Sequence, residues 1–158
     1  IPETIIRQSE NQIQNPLSEK IVQIPKELTL YENTSGVCFV PRWARYPFEI
    51  WVVPRRRVSQ VYDLDDEEIK NLSRLLLESS KMLDKVFDEP MPYTLAWQLA
   101  PKGYQDSHHL HWCFQPIKRS KTKLKYLAGV EQITGFYLVD LPPERSARIL
   151  RGEEQPDE

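Results

Sequence analysis

The stretch His109-Leu110-His111-Trp112-Cys113-Phe114-Gln115-Pro116 alternates polar and apolar side chains and closes on a proline. A period of two is the mark of a strand, whose successive side chains point to opposite faces. On this reading His109, His111 and Cys113 share one face, a polar site, while Leu110, Trp112 and Phe114 share the other, a core. All three histidines of the chain, His108, His109 and His111, fall within four positions, directly after the loop Gly103-Tyr104-Gln105-Asp106-Ser107. Three chemistries fit such a row. An imidazole whose second nitrogen is hydrogen-bonded can attack phosphorus near neutral pH, with His111 as the nucleophile and His109 orienting it. His109, His111 and Cys113 could instead give nitrogen and sulfur ligands to zinc or iron, but no fourth ligand is placed, so no metal is assigned and His111 is the one weak candidate. The third reading is ordinary hydrogen bonding on a sheet surface.

Outward from this strand, Val37-Cys38-Phe39-Val40 and Phe48-Glu49-Ile50-Trp51-Val52-Val53 are short, apolar and β-prone, separated by the proline-bounded turn Pro41 to Pro47. From Asp65 the apolar residues Ile69, Leu72, Leu76, Leu83 and Phe87 recur at helical spacing, with Asp65 three before Glu68 as a capping box, and Asp88-Glu89-Pro90 ends the helix. Tyr93 to Ala100 predicts a further strand and Phe136 to Val139 a fifth. Asp140-Leu141-Pro142-Pro143-Glu144 opens a C-terminal helix, with proline tolerated in its first turn. Residues 1–27 form a polar lead-in with a short helix from Glu3 to Gln14 stopped at Asn15-Pro16, and residues 28–158 form the domain. The expected fold class is α+β, an antiparallel sheet packed against helices.

At 158 residues and 40% hydrophobic, the chain can build one core. A net charge of −2 gives no reason to expect nucleic acid or an acidic membrane surface as partner. Basic residues cluster at Arg55-Arg56-Arg57 and from Lys118 to Lys125, where a phosphate ligand or simple solvation would suit them. Two cysteines, Cys38 and Cys113, without CxxC spacing point to a reducing, cytoplasmic setting. No run nears the ~20 apolar residues that span a bilayer, and no basic-then-apolar leader is visible. From its start at Ile1 the chain is expected to be an excerpt from a longer one or a processed product.

Trp43-Ala44-Arg45-Tyr46-Pro47-Phe48-Glu49 with Val53-Pro54-Arg55-Arg56 resembles the tryptophan-rich turn and following strand of galactose-1-phosphate uridylyltransferases, within the histidine-triad-like superfamily. Pro92-Tyr93 with Ala96-Trp97 and Ala100-Pro101, the His109-Leu110-His111 strand, and Lys125 to Glu131 follow in that family's order. The resemblance runs from about Leu28 to Arg151 and looks like the C-terminal half. It implies a histidine-triad-like half-domain of a usually dimeric enzyme that moves a uridylyl group between UDP-hexose and hexose 1-phosphate through a uridylyl-histidine. It places the nucleophile, and zinc ligands, in an N-terminal half carrying His-Pro-His-x-Gln, a pattern this chain lacks. It puts Lys125, Ala128, Val130 and Glu131 near sugar hydroxyls. The expected partners are therefore UDP-hexose, hexose 1-phosphate, an N-terminal half on the same or another chain, and a second copy in a homodimer. The isolated chain is expected to be inactive. Where some relatives hold a second metal on three histidines, Gln98 and Cys113 stand at two of the places and only His111 remains, so that site is expected to be absent or altered. Tyr137 stands where some relatives have a hexose-touching glutamine.

Overall fold

In the computed structural model, which describes residues 23–157, the strand that decides the fold runs from His111 to Pro116 (β5). It lies between β3 (Ile50–Pro54) and β4 (Tyr93–Gln98), antiparallel to both. β2 (Gly36–Phe39) and β1 (Thr29–Glu32) complete a five-stranded sheet in the order β1-β2-β3-β5-β4. The helices are α1 (Asp66–Lys85), α2 (Gly129–Thr134) and α3 (Pro143–Leu150). The domain is α+β, as the sequence implies. The helix expected from Glu3 to Gln14 lies outside the described residues. None of the described helices is long and apolar enough to cross a membrane.

Alternation along β5 sorts the core. Trp112 and Phe114 join Ile50, Val52, Leu72, Leu75 and Leu83 beneath α1, whereas Cys113 packs with Val37, Phe39, Trp51 and Val53 on the opposite face. Helix α1 starts where the capping box predicts: the Asp65 carboxylate accepts from the Glu68 N–H at 2.8 Å, and Glu68 accepts from the Asp65 N–H at 3.0 Å. Its buried face, Leu72, Leu75, Ser79 and Leu83, lies across β1, β2 and β3. Each buried leucine contributes about 1.5–3 kcal/mol of transfer free energy. The helix approaches so closely at Gly36 that a Cβ there would sit 2.6 Å from Leu72 Cδ2 and 2.9 Å from Leu75 Cδ1.

Two expectations are corrected. β1 went unread because its exposed Tyr31 and Glu32 break the apolar run that marks the other strands. The strand expected at Phe136 to Val139 does not form: Phe136 and Leu138 are exposed, and side chains take the backbone groups a neighbouring strand would use. The Leu138 N–H donates to Glu131 Oε1 at 2.9 Å, and its carbonyl accepts from Lys125 Nζ at 2.9 Å. Residues 118–140 are thus an irregular arm carrying α2, closed at its base by the Lys118–Leu124 bridge and the Arg119–Asp140 ion pair.

Candidate functional site

The turn before β3 is organised by one buried carboxylate. Glu49 Oε2 accepts from the N–H groups of Arg45 (2.7 Å) and Tyr46 (3.2 Å), and its Oε1 accepts from the Trp51 indole at 2.7 Å. Phe48 takes the left-handed region, φ 60°, and the bonds to Glu49 hold the backbone there. Trp51 is thereby fixed as a platform. The His111 ring stacks on it with centroids 4.5 Å apart, and His108 lies on the far side of His111 at 5.8 Å.

β5 begins only at His111, so the alternation does not extend back to His109, and the row His109-His111-Cys113 is interrupted. The His109 ring turns to β3, its Nε2 2.9 Å from the Pro54 carbonyl oxygen, and His108 Nε2 lies 3.0 Å from that of Gln98. His109 holds His111 by its backbone: His111 Nδ1 is 2.8 Å from the His109 carbonyl. A carbonyl oxygen can only accept, so Nδ1 carries the proton and Nε2 the lone pair. Burial pushes the His111 imidazole down to about 3 and His109 to about 4, which keeps both neutral. His111 is fully buried.

The positions of the second metal do not form a set of ligands. Gln98 sits directly opposite His111, and Ala96 opposite Cys113. A glutamine amide is a weak donor and burial drives the Cys113 thiol far above its usual range, away from the thiolate that binds metal, so of the three positions only His111, through Nε2, offers a good metal ligand. These residues do not fit an iron or zinc site. No group of three or more histidine, cysteine or acidic residues converges on a metal position among the described residues.

The arm brings other predicted residues together. Lys125 Nζ donates to Glu131 Oε1 at 2.8 Å, and Glu131 Oε2 accepts from the Ala128 N–H at 2.6 Å, so the Glu131 side chain caps the start of α2 from within its first turn. The Glu131 side chain is 1% exposed and that of Lys125 8%. The Lys125 ammonium, followed by the Ala128 and Leu138 amides, holds the Glu131 carboxyl down to about 2. Beside this pair opens a cavity of about 320 Å³ lined by Pro47, Arg119, Lys125, Tyr126, Ala128 and Glu131, among others. Val130 is exposed and does not line it. Tyr137 packs on Tyr46 at 6.1 Å, beneath the Arg45 guanidinium at 5.5 Å, tying the arm to the tryptophan-rich turn. Sequence reasoning missed Pro47 and Tyr126 as liners; Arg119 could have been found, since it lies in the basic run from Lys118. The other basic cluster is structural in part: Arg56 grips Glu68 at 2.7 and 2.8 Å, and Arg55 pairs with Glu32.

A galactose-1-phosphate uridylyltransferase of Thermotoga maritima is 35% identical over 142 residues, covering 88% of this chain but 45% of the relative. Among solved structures, a uridylyltransferase superimposes with a TM-score of 0.86 at 26% identity, covering 97% of this chain and 52% of that one. A zinc-bound histidine triad family protein of Mycobacterium smegmatis shares the fold, with a TM-score of 0.61 at 14% identity, covering 87% of this chain and 90% of that one. The chain therefore spans about half the length of the relatives it matches. With residues 9–157 matching the family model described as galactose-1-phosphate uridyl transferase, C-terminal domain, the chain belongs to that family through its C-terminal domain.

Proposed function

We propose that this chain is the hexose-1-phosphate-binding half of a UDP-glucose–hexose-1-phosphate uridylyltransferase, whose nucleophilic histidine, and any zinc, reside in an N-terminal half. The observation that carries this reading is the cavity shared by Lys125, Ala128, Glu131 and Arg119 on an arm whose backbone is already clamped. Lys125 has three donors and spends two, on Glu131 and the Leu138 carbonyl; the third can meet a sugar hydroxyl or phosphate oxygen. Glu131 Oε2 accepts one N–H and has a lone pair left for a hydroxyl. Arg119, ion-paired with Asp140 at the same opening, brings a guanidinium whose remaining N–H donors suit a phosphate monoester. Val130, Tyr126 and Phe136, exposed on the arm, would contact the substrate or the other half once it is in place.

In the reaction, an imidazole nitrogen of the N-terminal half attacks the uridylyl phosphorus of UDP-hexose and hexose 1-phosphate leaves. A second hexose 1-phosphate then attacks the uridylyl-histidine through a phosphate oxygen and frees the imidazole. This chain's part is to hold the sugar phosphate in line for each exchange.

A second reading has one observation in its favour: His111 is neutral with its lone pair on Nε2, the electronic state a nucleophile needs. Its burial between Trp51 and His108 stands against it, because phosphorus must come within about 3–3.5 Å of the attacking atom. Titrating the isotopically labelled chain with galactose 1-phosphate and following amide shifts by NMR separates the two. Shifts confined to residues 119–138 are expected. Shifts centred on residues 108–113 would favour His111 and overturn the first reading.

A further inference from the structure

Taking the cavity on the arm as the hexose-1-phosphate site, we propose that Glu49 is its positioning residue: by fixing the turn Arg45-Tyr46-Pro47, this carboxylate sets where Lys125 stands beside the cavity. Glu49 itself touches no ligand.

Glu49 is fully buried, and among the described residues no lysine or arginine pairs with it. Its partners are three N–H groups, those of Arg45 and Tyr46 on Oε2 and the Trp51 indole on Oε1. A carboxylate so deep in the fold is tolerated only while its donors stay in place, so carboxylate and turn hold each other. The turn has little else to keep its shape. Phe48 stands at φ 60°, Pro47 has no N–H to donate, and the backbone bond that closes the turn, from the Glu49 N–H to the Tyr46 carbonyl, is long at 3.2 Å.

Three consecutive residues of this turn meet the sugar-phosphate site. Arg45 lies 5.5 Å over the Tyr137 ring, the Tyr46 ring lies 6.1 Å from that of Tyr137, and Pro47 forms part of the cavity wall. The Tyr46 ring also stands behind the Lys125 ammonium, its centroid 5.9 Å from Nζ, at the outer limit of cation–π attraction. The hydrogen bonds of that ammonium, to Glu131 and to the Leu138 carbonyl, lie within the arm and move with it. They fix Lys125 on the arm but not against the sheet. The contacts made by Arg45 and Tyr46 supply that registration, and Glu49 holds the backbone of both.

The two oxygens of Glu49 separate two effects. In Glu49→Gln the amide oxygen can still accept from Arg45 and Tyr46, while the amide N–H faces the Trp51 indole and loses that bond. Glu49→Leu removes every acceptor at once.

The test is titration of the isotopically labelled 158-residue chain with galactose 1-phosphate, followed by NMR, together with hydrogen exchange of residues 125–138 in the absence of ligand. Glu49→Leu is expected to weaken binding about tenfold and to speed exchange in the arm, and Glu49→Gln to return both to within about twofold of wild type. Glu49→Leu combined with Lys125→Met should bind no more weakly than Lys125→Met alone, because the first substitution acts through the second residue. Losses that add in full, or a Glu49→Gln variant as impaired as Glu49→Leu, would assign Glu49 to general support of the fold and overturn the proposal. A wild type that binds no galactose 1-phosphate would sink the reading of the cavity; the ligand-free exchange then decides separately whether Glu49 holds the arm, and an arm unchanged in Glu49→Leu would overturn that as well. Should Glu49→Leu misfold, Tyr46→Leu, which leaves the backbone donors to Glu49 in place, takes its position in the series with the same expected losses.

Discussion

Glu131 is the residue on which the arm turns. Its two oxygens take the Lys125 ammonium and the N–H groups of Ala128 and Leu138, so one carboxylate replaces the backbone partners of a missing strand. Glu131→Gln keeps the shape but loses the charge and puts an amide N–H where an acceptor is needed. The expected outcome is a lower Tm and faster proteolytic cutting within residues 125–138, with β-sheet exchange unchanged. The pH sign follows from the direction of its shift. A carboxyl held at about 2 in the fold, against an ordinary value near 4.5, stabilises fully above pH 4.5, and that contribution fades as pH falls towards 2. His111 acts with the same sign at higher pH: its imidazole drops from 6.5 to about 3 on folding, so the unfolded chain binds a proton the native state refuses, and stability declines as pH falls from 6.5. In His111→Asn the dependence of unfolding free energy on pH between 6.5 and 3 should flatten. At pH 7 the same variant should lose about 0.5–1.5 kcal/mol, the worth of one stacked ring pair. Urea melts across that range check both. Lys125 and Glu131 were legible as a charged pair from their types and family order, but their mutual bond was not: residues six apart on an irregular arm have no period to reveal it.

At the scale of elements, the sequence was most readable where packing and periodicity agree. The α1 capping box and the alternation of β5 appear where the spacing puts them, and Leu72 and Leu83 are buried as read, but Ile69 is exposed, Leu75 takes the inner place given to Leu76, and Phe87 lies past the helix end. The failures share a cause. Phe136 to Val139 has the composition of a strand yet among the described residues no strand lies beside it, while β1 has a mixed composition and pairs with β2. Strand propensity records fit to a pleated, half-buried surface, and a single sequence does not show which segments receive one. The same limit hid the break before β5, which sends the His109 ring to Pro54 and brings His108 to His111 instead. Gly36 gives the element-scale prediction. An alanine there would drive its Cβ into Leu72 and Leu75, and with the Val53 carbonyl only 3.0 Å away the strand has little room to retreat. Gly36→Ala should cost about 1–3 kcal/mol, as overpacked cores do, measured by urea unfolding. Leu72→Ala in the same chain should recover part of that loss, a coupling a double-mutant cycle would detect.

Over the whole molecule, one sheet carries two unlike sites. At its centre a histidine column lies sealed against Trp51, with donors that do not suit a metal; at its margin a charged cavity opens on an arm with exposed Tyr126, Ile133 and Phe136. Exposed apolar residues on one short segment suit a surface that another polypeptide covers. That division fits a domain that binds and positions a sugar phosphate while chemistry is supplied from elsewhere. The measurement that tests this most directly is uridylyl transfer from UDP-glucose to galactose 1-phosphate by the isolated chain, and by the chain mixed with the N-terminal half of the Thermotoga maritima relative. No transfer is expected from the chain alone and transfer from the mixture; transfer by the isolated chain, or none by a mixture shown to have associated, would contradict this division of roles.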